Sequence, residues 1–222
     1  MKKLLIFFFY FCIFANHSYA LIEVDITRGN LEPLPIAVSP LYVEPGSKDI
    51  KLGDKIIKNV GEQIAKVIEA NFRRSGLFNP LKKDSFVQKP DIAHIKPRFE
   101  DWRLIKAQAL VTGKVTISDD KLRAEFRLWD VIAAKEMIAL AFSTTPENWR
   151  RVAHIISDKI YQRLTGEKGY FDTRIIYVSE TGEKTQRFKK LAIMDQDGAN
   201  VKYLTLGNEL VLTPRFSPKN QL

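Results

Sequence analysis

Histidine, cysteine and serine are where a catalytic or metal centre would show first, and this chain offers little of that chemistry. Of its three histidines, His17 lies close to the amino terminus, which leaves His94 and His154. His94 sits among loop-like residues and His154 beside the apolar face of a helix. Each reads as a surface or boundary residue, and two distant histidines without a supporting motif do not make a zinc site. The single cysteine, Cys12, precedes everything that reads as a folded domain, so disulfides and thiolate metal sites are excluded there. No serine stands in a nucleophile elbow, and there is neither a phosphate-cradling glycine loop nor a glycine-rich dinucleotide fingerprint. Carboxylates are plentiful, but sequence alone does not set two of them face to face, so an acid/base pair stays open. Nothing positive in these residue types points to an enzyme, a cofactor or a metal.

The elements that would position any site begin after a leader. Met1, Lys2 and Lys3 form a basic start, and Leu4 to Ala15 is almost wholly apolar, with five phenylalanines. That run falls short of the roughly 20 residues a spanning helix needs. Asn16 and His17 end it, and Ser18, Tyr19 and Ala20 supply a small-x-small cleavage signature. Residues 1–20 therefore read as a secretory signal peptide cut after Ala20, and the rest as an exported, extracytoplasmic chain. Removing Lys2 and Lys3 lowers the formal charge from +9 to +7. The basic residues are spread along the chain and aromatic RNA-binding signatures are missing, so a solvated basic surface is a better reading than a nucleic-acid site.

From Ile22 to Thr27, apolar Ile22, Val24 and Ile26 alternate with Glu23, Asp25 and Thr27, which predicts a strand ending near Arg28 and Gly29. Ile36 to Val38, closed by Pro40, predicts a short buried strand. Asp54 reads as the cap of a long helix carrying Ile56, Ile57, Val60, Ile64, Val67, Ile68 and Phe72 on one stripe, with Arg73 and Arg74 in the last turn and Gly76 stopping it. Pro97 opens a short helix with Phe99, Trp102 and Ile105. Alternation over Ala109–Ile117 and Leu122–Leu128 predicts two strands joined at Asp119 and Asp120. Met137 to Phe142 is more continuously apolar and predicts a deeply buried third strand. Thr145, Pro146 and Glu147 announce a helix whose inner face holds Trp149, Val152, Ala153, Ile156, Ile160 and Leu164. Residues 21–169 thus read as an α/β domain, a mixed sheet covered by helices. Beyond it the texture turns all-β: Arg174–Val178, Lys190–Met194 and Val201–Leu204, with a tight turn at Asp195-Gln196-Asp197-Gly198.

Four segments carry a more specific signal. They are Ser75-Gly76-Leu77-Phe78; Arg98-Phe99-Glu100-Asp101-Trp102 with Ala109-Leu110-Val111-Thr112-Gly113-Lys114-Val115; Ala153-His154 with Ser157-Asp158; and Leu164-Thr165-Gly166-Glu167-Lys168-Gly169-Tyr170-Phe171-Asp172-Thr173-Arg174-Ile175. In this order and spacing they resemble the TolB family of the Tol-Pal envelope system. Leu212-Thr213-Pro214-Arg215-Phe216-Ser217-Pro218 resembles the opening of that family's propeller repeat.

The resemblance implies a periplasmic, non-catalytic scaffold in which an α/β domain precedes a six-bladed β-propeller. Residues 170–222 would be the first blade and the start of the second. It also implies that the amino-terminal segment Leu21, Ile22, Glu23, Val24, Asp25, Ile26, Thr27 and Arg28 binds TolA, with Glu23 and Val24 matching the family, and that a complete propeller binds Pal. These contacts would join inner- and outer-membrane components during constriction at cell division. An extended segment of this kind adds to a sheet edge; alternation alone favours an edge strand of its own domain, and the resemblance reverses that preference. About one blade cannot close a ring of roughly four to eight, so the expectation is a fragment of a longer protein or a truncated product. The alternative reading is an accessory portion of a secreted, propeller-containing hydrolase whose catalytic domain lies elsewhere.

Overall fold

The computed structural model describes residues 22, 24, 32–183, 186–207 and 211–217. Residues 1–20, which carry the expected signal peptide, lie outside the described residues.

Strand β1 (Leu34–Val38) runs parallel to β6 (Ala109–Ser118) on one side and to β5 (Phe78–Pro80) on the other. Pro40 interrupts it, and the chain resumes beside the same neighbour as β2 (Tyr42–Val43), whose partners are Lys114 and Val115. The antiparallel strands β7 (Lys121–Asp130) and β8 (Lys135–Thr144) complete the sheet, in the order β5-β1-β6-β7-β8. Period-two alternation divides its residues between two faces. Ile36, Val38, Val111, Val115, Leu122, Ala124, Phe126 and Leu128 meet the main core. Ala37 and Leu110 point into a smaller cluster with Ala93, Trp102 and Val131.

Two helices cover the main face. Helix α1 (Val60–Ser75) contributes Val60, Ile64, Val67, Ile68 and Phe72, and Gly76 ends it in the left-handed conformation at φ 73°. Its start differs from the sequence expectation. Lys55–Ile57 belong to β4, which pairs with β3 (Ile50–Leu52) around Gly53 at φ 57°, and Ile56 is exposed. The cap is Asn59, whose side chain accepts from the Glu62 amide at 3.4 Å and donates to the Glu62 carboxylate at 3.1 Å. This reciprocal box fixes the first turn, and the glycine turn draws the preceding isoleucines into a hairpin.

The short helices α2 (Pro90–Ala93) and α3 (Phe99–Leu104) lie on the opposite face, where Trp102 is buried and its indole donates to Gln88 Oε1 at 3.0 Å. A 3-10 turn at Pro146–Asn148 leads into the second covering helix, α4 (Trp149–Thr165).

Strand β8 departs from expectation as well. It is an edge strand with β7 as its neighbour, and Ala139, Leu140 and Ala141 are exposed. Its apolar run consists partly of small alanines on an open face. Its register slips opposite Leu128 and Trp129, so continuity of apolar letters did not mean two-sided burial.

The remaining strands form a separate antiparallel sheet in the order β11-β10-β9: β9 (Arg174–Thr181), β10 (Phe188–Asp195) and β11 (Lys202–Tyr203). Gly198, at φ 83°, sits in the expected turn after β10. Residues 211–217 carry no strand, and Leu212 and Phe216 are exposed.

Candidate functional site

Two places gather the groups that matter. The first is the amino-terminal segment, of which Ile22 and Val24 are described; Leu21, Glu23, Asp25, Ile26, Thr27 and Arg28 lie outside the described residues. The Ile22 amide donates to Asp130 Oδ2 at 3.1 Å, and the Val24 amide donates to the Leu164 carbonyl at 2.7 Å. Val24 is buried in the main core. Neither residue belongs to a strand, contrary to the alternation, because their amides go to a side-chain carboxylate and a helix-end carbonyl rather than to a neighbouring strand. Asp130, itself buried at the end of β7, uses its other oxygen to accept from the Ala133 amide at 2.8 Å. One carboxylate thus holds both the turn before β8 and the incoming segment.

The second place is the junction between α4 and the three-stranded sheet. The Asp158 carboxylate accepts from the backbone amides of Phe171 at 2.6 Å and Asp172 at 3.0 Å. Burial pushes this carboxyl above its ordinary value, and the two amides pull the other way. Gly169 lies so close that a Cβ there would stand 2.4 Å from Asp158 Oδ1. Arg151 grips Asp172 through two guanidinium nitrogens at 3.1–3.2 Å, while fully buried Phe171 packs on Phe72 and Tyr161.

Behind this connection lies a buried polar chain. Asn71 on α1 and His154 and Ser157 on α4 are 0–2% exposed. Asn71 Oδ1 accepts from Arg74 and from Gln196 Nε2 at 3.1 Å, and Asn71 Nδ2 donates to Ser157 Oγ at 2.8 Å and meets His154 Nδ1 at 3.0 Å. A guanidinium only donates, so the Arg74 contact fixes which end of the Asn71 amide is oxygen. Nδ2 must then be the donor to His154, whose Nδ1 accepts and whose neutral ring carries its proton on Nε2. Among the described residues that Nε2 is buried without a hydrogen-bond partner, 3.7 Å from Asp197 Oδ2. Asp197 is bonded to Arg150, and Asp195 accepts from Asn200 at 2.6 Å. Burial holds the His154 imidazole below its ordinary value; Asp197 opposes that shift and Arg150 adds to it.

His154 is therefore a core residue and not the surface or boundary residue expected, whereas half-buried His94 stacks on Tyr42 at 4.6 Å and fits that expectation. His154, Asp195 and Asp197 each bring a potential ligand atom within 4.8 Å of one another. The chemistry of that set does not suit a metal, since His154 presents an N–H and Asp197 already pairs with a guanidinium. The sequence carried one unused signal for this cluster: Asn71, His154 and Ser157 interrupt otherwise apolar helix stripes.

The family model of the TolB amino-terminal domain matches residues 22–137, and that of the TolB beta propeller domain matches residues 161–222. This chain belongs to the TolB family. It is 70% identical over 217 residues to the Tol-Pal system protein TolB of Pelagibacter ubique (strain HTCC1062), an alignment covering 97% of this chain and 48% of that protein. The chain thus spans about half the length of that curated relative. The crystal structure of TolB from Acinetobacter baumannii shares the fold, with a TM-score of 0.61 at 24% identity over 82% of this chain and 41% of that one. In this TolB-family chain the mixed α/β sheet is followed by strands of an incomplete propeller. Among the described residues, no helix is long and apolar enough to cross a membrane.

Proposed function

We propose that this chain acts as a non-enzymatic periplasmic scaffold of the Tol-Pal system, serving outer-membrane integrity and constriction at cell division. Its segment Leu21–Arg28 binds TolA, and a complete propeller binds Pal. The observation that carries this reading is the 70% identity to a Tol-Pal system TolB across 97% of the chain. The basic start, the short apolar run and Ser18-Tyr19-Ala20 support export to the periplasm with cleavage after Ala20. The geometry sets a condition on the proposed TolA contact. Strand addition uses main-chain donors and acceptors, and the amides of Ile22 and Val24 are engaged by Asp130 and Leu164. Binding through them requires those two bonds to be exchanged for bonds to the partner's sheet edge.

A photo-crosslinking amino acid placed at Asp25 tests the assignment in a mixture with TolA. The expected result is an adduct with TolA from position 25 and none from position 202 on β11. Adducts arising elsewhere on the chain, with none from position 25, overturn it.

A further inference from the structure

At the domain junction the contacts of Asn71 are matched in donor and acceptor only while His154 is neutral, although the His154 Nε2 proton itself has no hydrogen-bond partner among the described residues. Asn71 spends both amide protons, on Ser157 Oγ and His154 Nδ1, and its oxygen accepts from Arg74 and Gln196. Ser157 passes its own proton to the Ala153 carbonyl at 2.8 Å. Neutral His154 satisfies Asn71 only as an acceptor. A proton added at Nδ1 faces the Asn71 NH2, another donor. The amide can receive that proton only by turning its oxygen toward the imidazole, and that oxygen is what holds Gln196, in the turn after β10, to helix α1.

The charged groups facing His154 include Arg150 and Asp158 on its own helix, Asp172 on the connection before β9, and Asp195 and Asp197 at the end of β10 and in its turn. Helix α1 contributes Asn71, with Arg74 behind it. The carboxylates attract an imidazolium, but they are partly spent. Asp197 serves Arg150 and the Ala199 amide, and Asp195 serves Asn200. Attraction to them does not restore the Asn71–Gln196 bond.

We propose that His154, Asn71 and Gln196 form a proton-sensitive latch between the α/β sheet domain and the first propeller strands. The latch is closed while His154 is neutral and loosens when the imidazole is protonated. The docked form takes up the proton less readily than the undocked form, whose imidazole titrates near its ordinary value of about 6.5. Coupling is therefore complete above about pH 6.5 and declines as pH falls through that value toward the depressed one of the docked form.

Nitrogen NMR of the histidine rings in the whole chain, with hydrogen exchange followed from pH 7.5 to 5.5, tests the latch. At pH 7.5 His154 should carry its proton on Nε2. Protection of the Gln196 and Ala199 amides, corrected for intrinsic exchange, should fall by up to about tenfold per pH unit below 6.5. In His154→Gln that extra pH dependence should vanish. A proton on Nδ1 at pH 7.5, or the same decline in His154→Gln, overturns the proposal. If the variant does not fold, the ring protonation and pH dependence of the unaltered chain decide alone.

Discussion

Asn71 makes polar contacts with Arg74, His154, Ser157 and Gln196, and its removal is expected to cost more than its size suggests. Truncation leaves buried His154 and Ser157 and half-buried Gln196 each short of a partner, and a stranded buried group costs about 1–3 kcal/mol. Asn71→Ala should therefore lose about 3 kcal/mol or more in a urea titration, while Lys66→Ala on the wet face of the same helix should change little. Gly169 makes a steric prediction of a different kind. A methyl group there runs into Asp158 Oδ1, Cα and Cβ, so Gly169→Ala is expected to cost about 1–3 kcal/mol and to expose the 166–173 connection to limited proteolysis. None of this was legible from residue types taken singly. An asparagine and a serine on apolar stripes were visible in the sequence, but which partner each would find depends on α1 and α4 packing side by side.

At the scale of elements, the sequence described interiors better than ends and edges. The apolar stripes of α1 and α4, the Asp119-Asp120 turn and the Asp195–Gly198 turn follow from spacing and turn chemistry, and all stand where the pattern put them. The start of α1 departs from the sequence pattern because Ile57 and Ile56 fall by chance three and four residues before Val60, while the glycine turn at Gly53 competes for them. Asn59→Ala should cost about 1 kcal/mol as a lost cap, whereas Asp54→Ala should leave α1 unchanged; urea midpoints distinguish the two. Strand β8 departs from its pattern because burial depends on what lies beside a strand, which its own letters do not contain. Ala141→Lys on this edge is expected to change stability by less than about 0.5 kcal/mol, whereas Ala124→Lys on the core face of β7 should unfold the chain.

For the whole molecule, the question is how an incoming partner and the resting fold share the amino-terminal segment. Asp130 and Leu164 hold the Ile22 and Val24 amides, so under the proposed function TolA competes with this docking. Weakening it by Asp130→Asn should raise TolA affinity by roughly fivefold, the equivalent of about one hydrogen bond. The segment's strand-like alternation was legible, but its docking was not, because Asp130 and Leu164 lie far from it in the chain. The most direct measurement is calorimetric titration of TolA with the chain beginning at Leu21 and with the chain lacking residues 21–28, each checked for an unchanged thermal midpoint. Binding by the first and none by the second is the expected result. Equal affinity for both would contradict the assignment of the amino-terminal segment as the TolA-binding element.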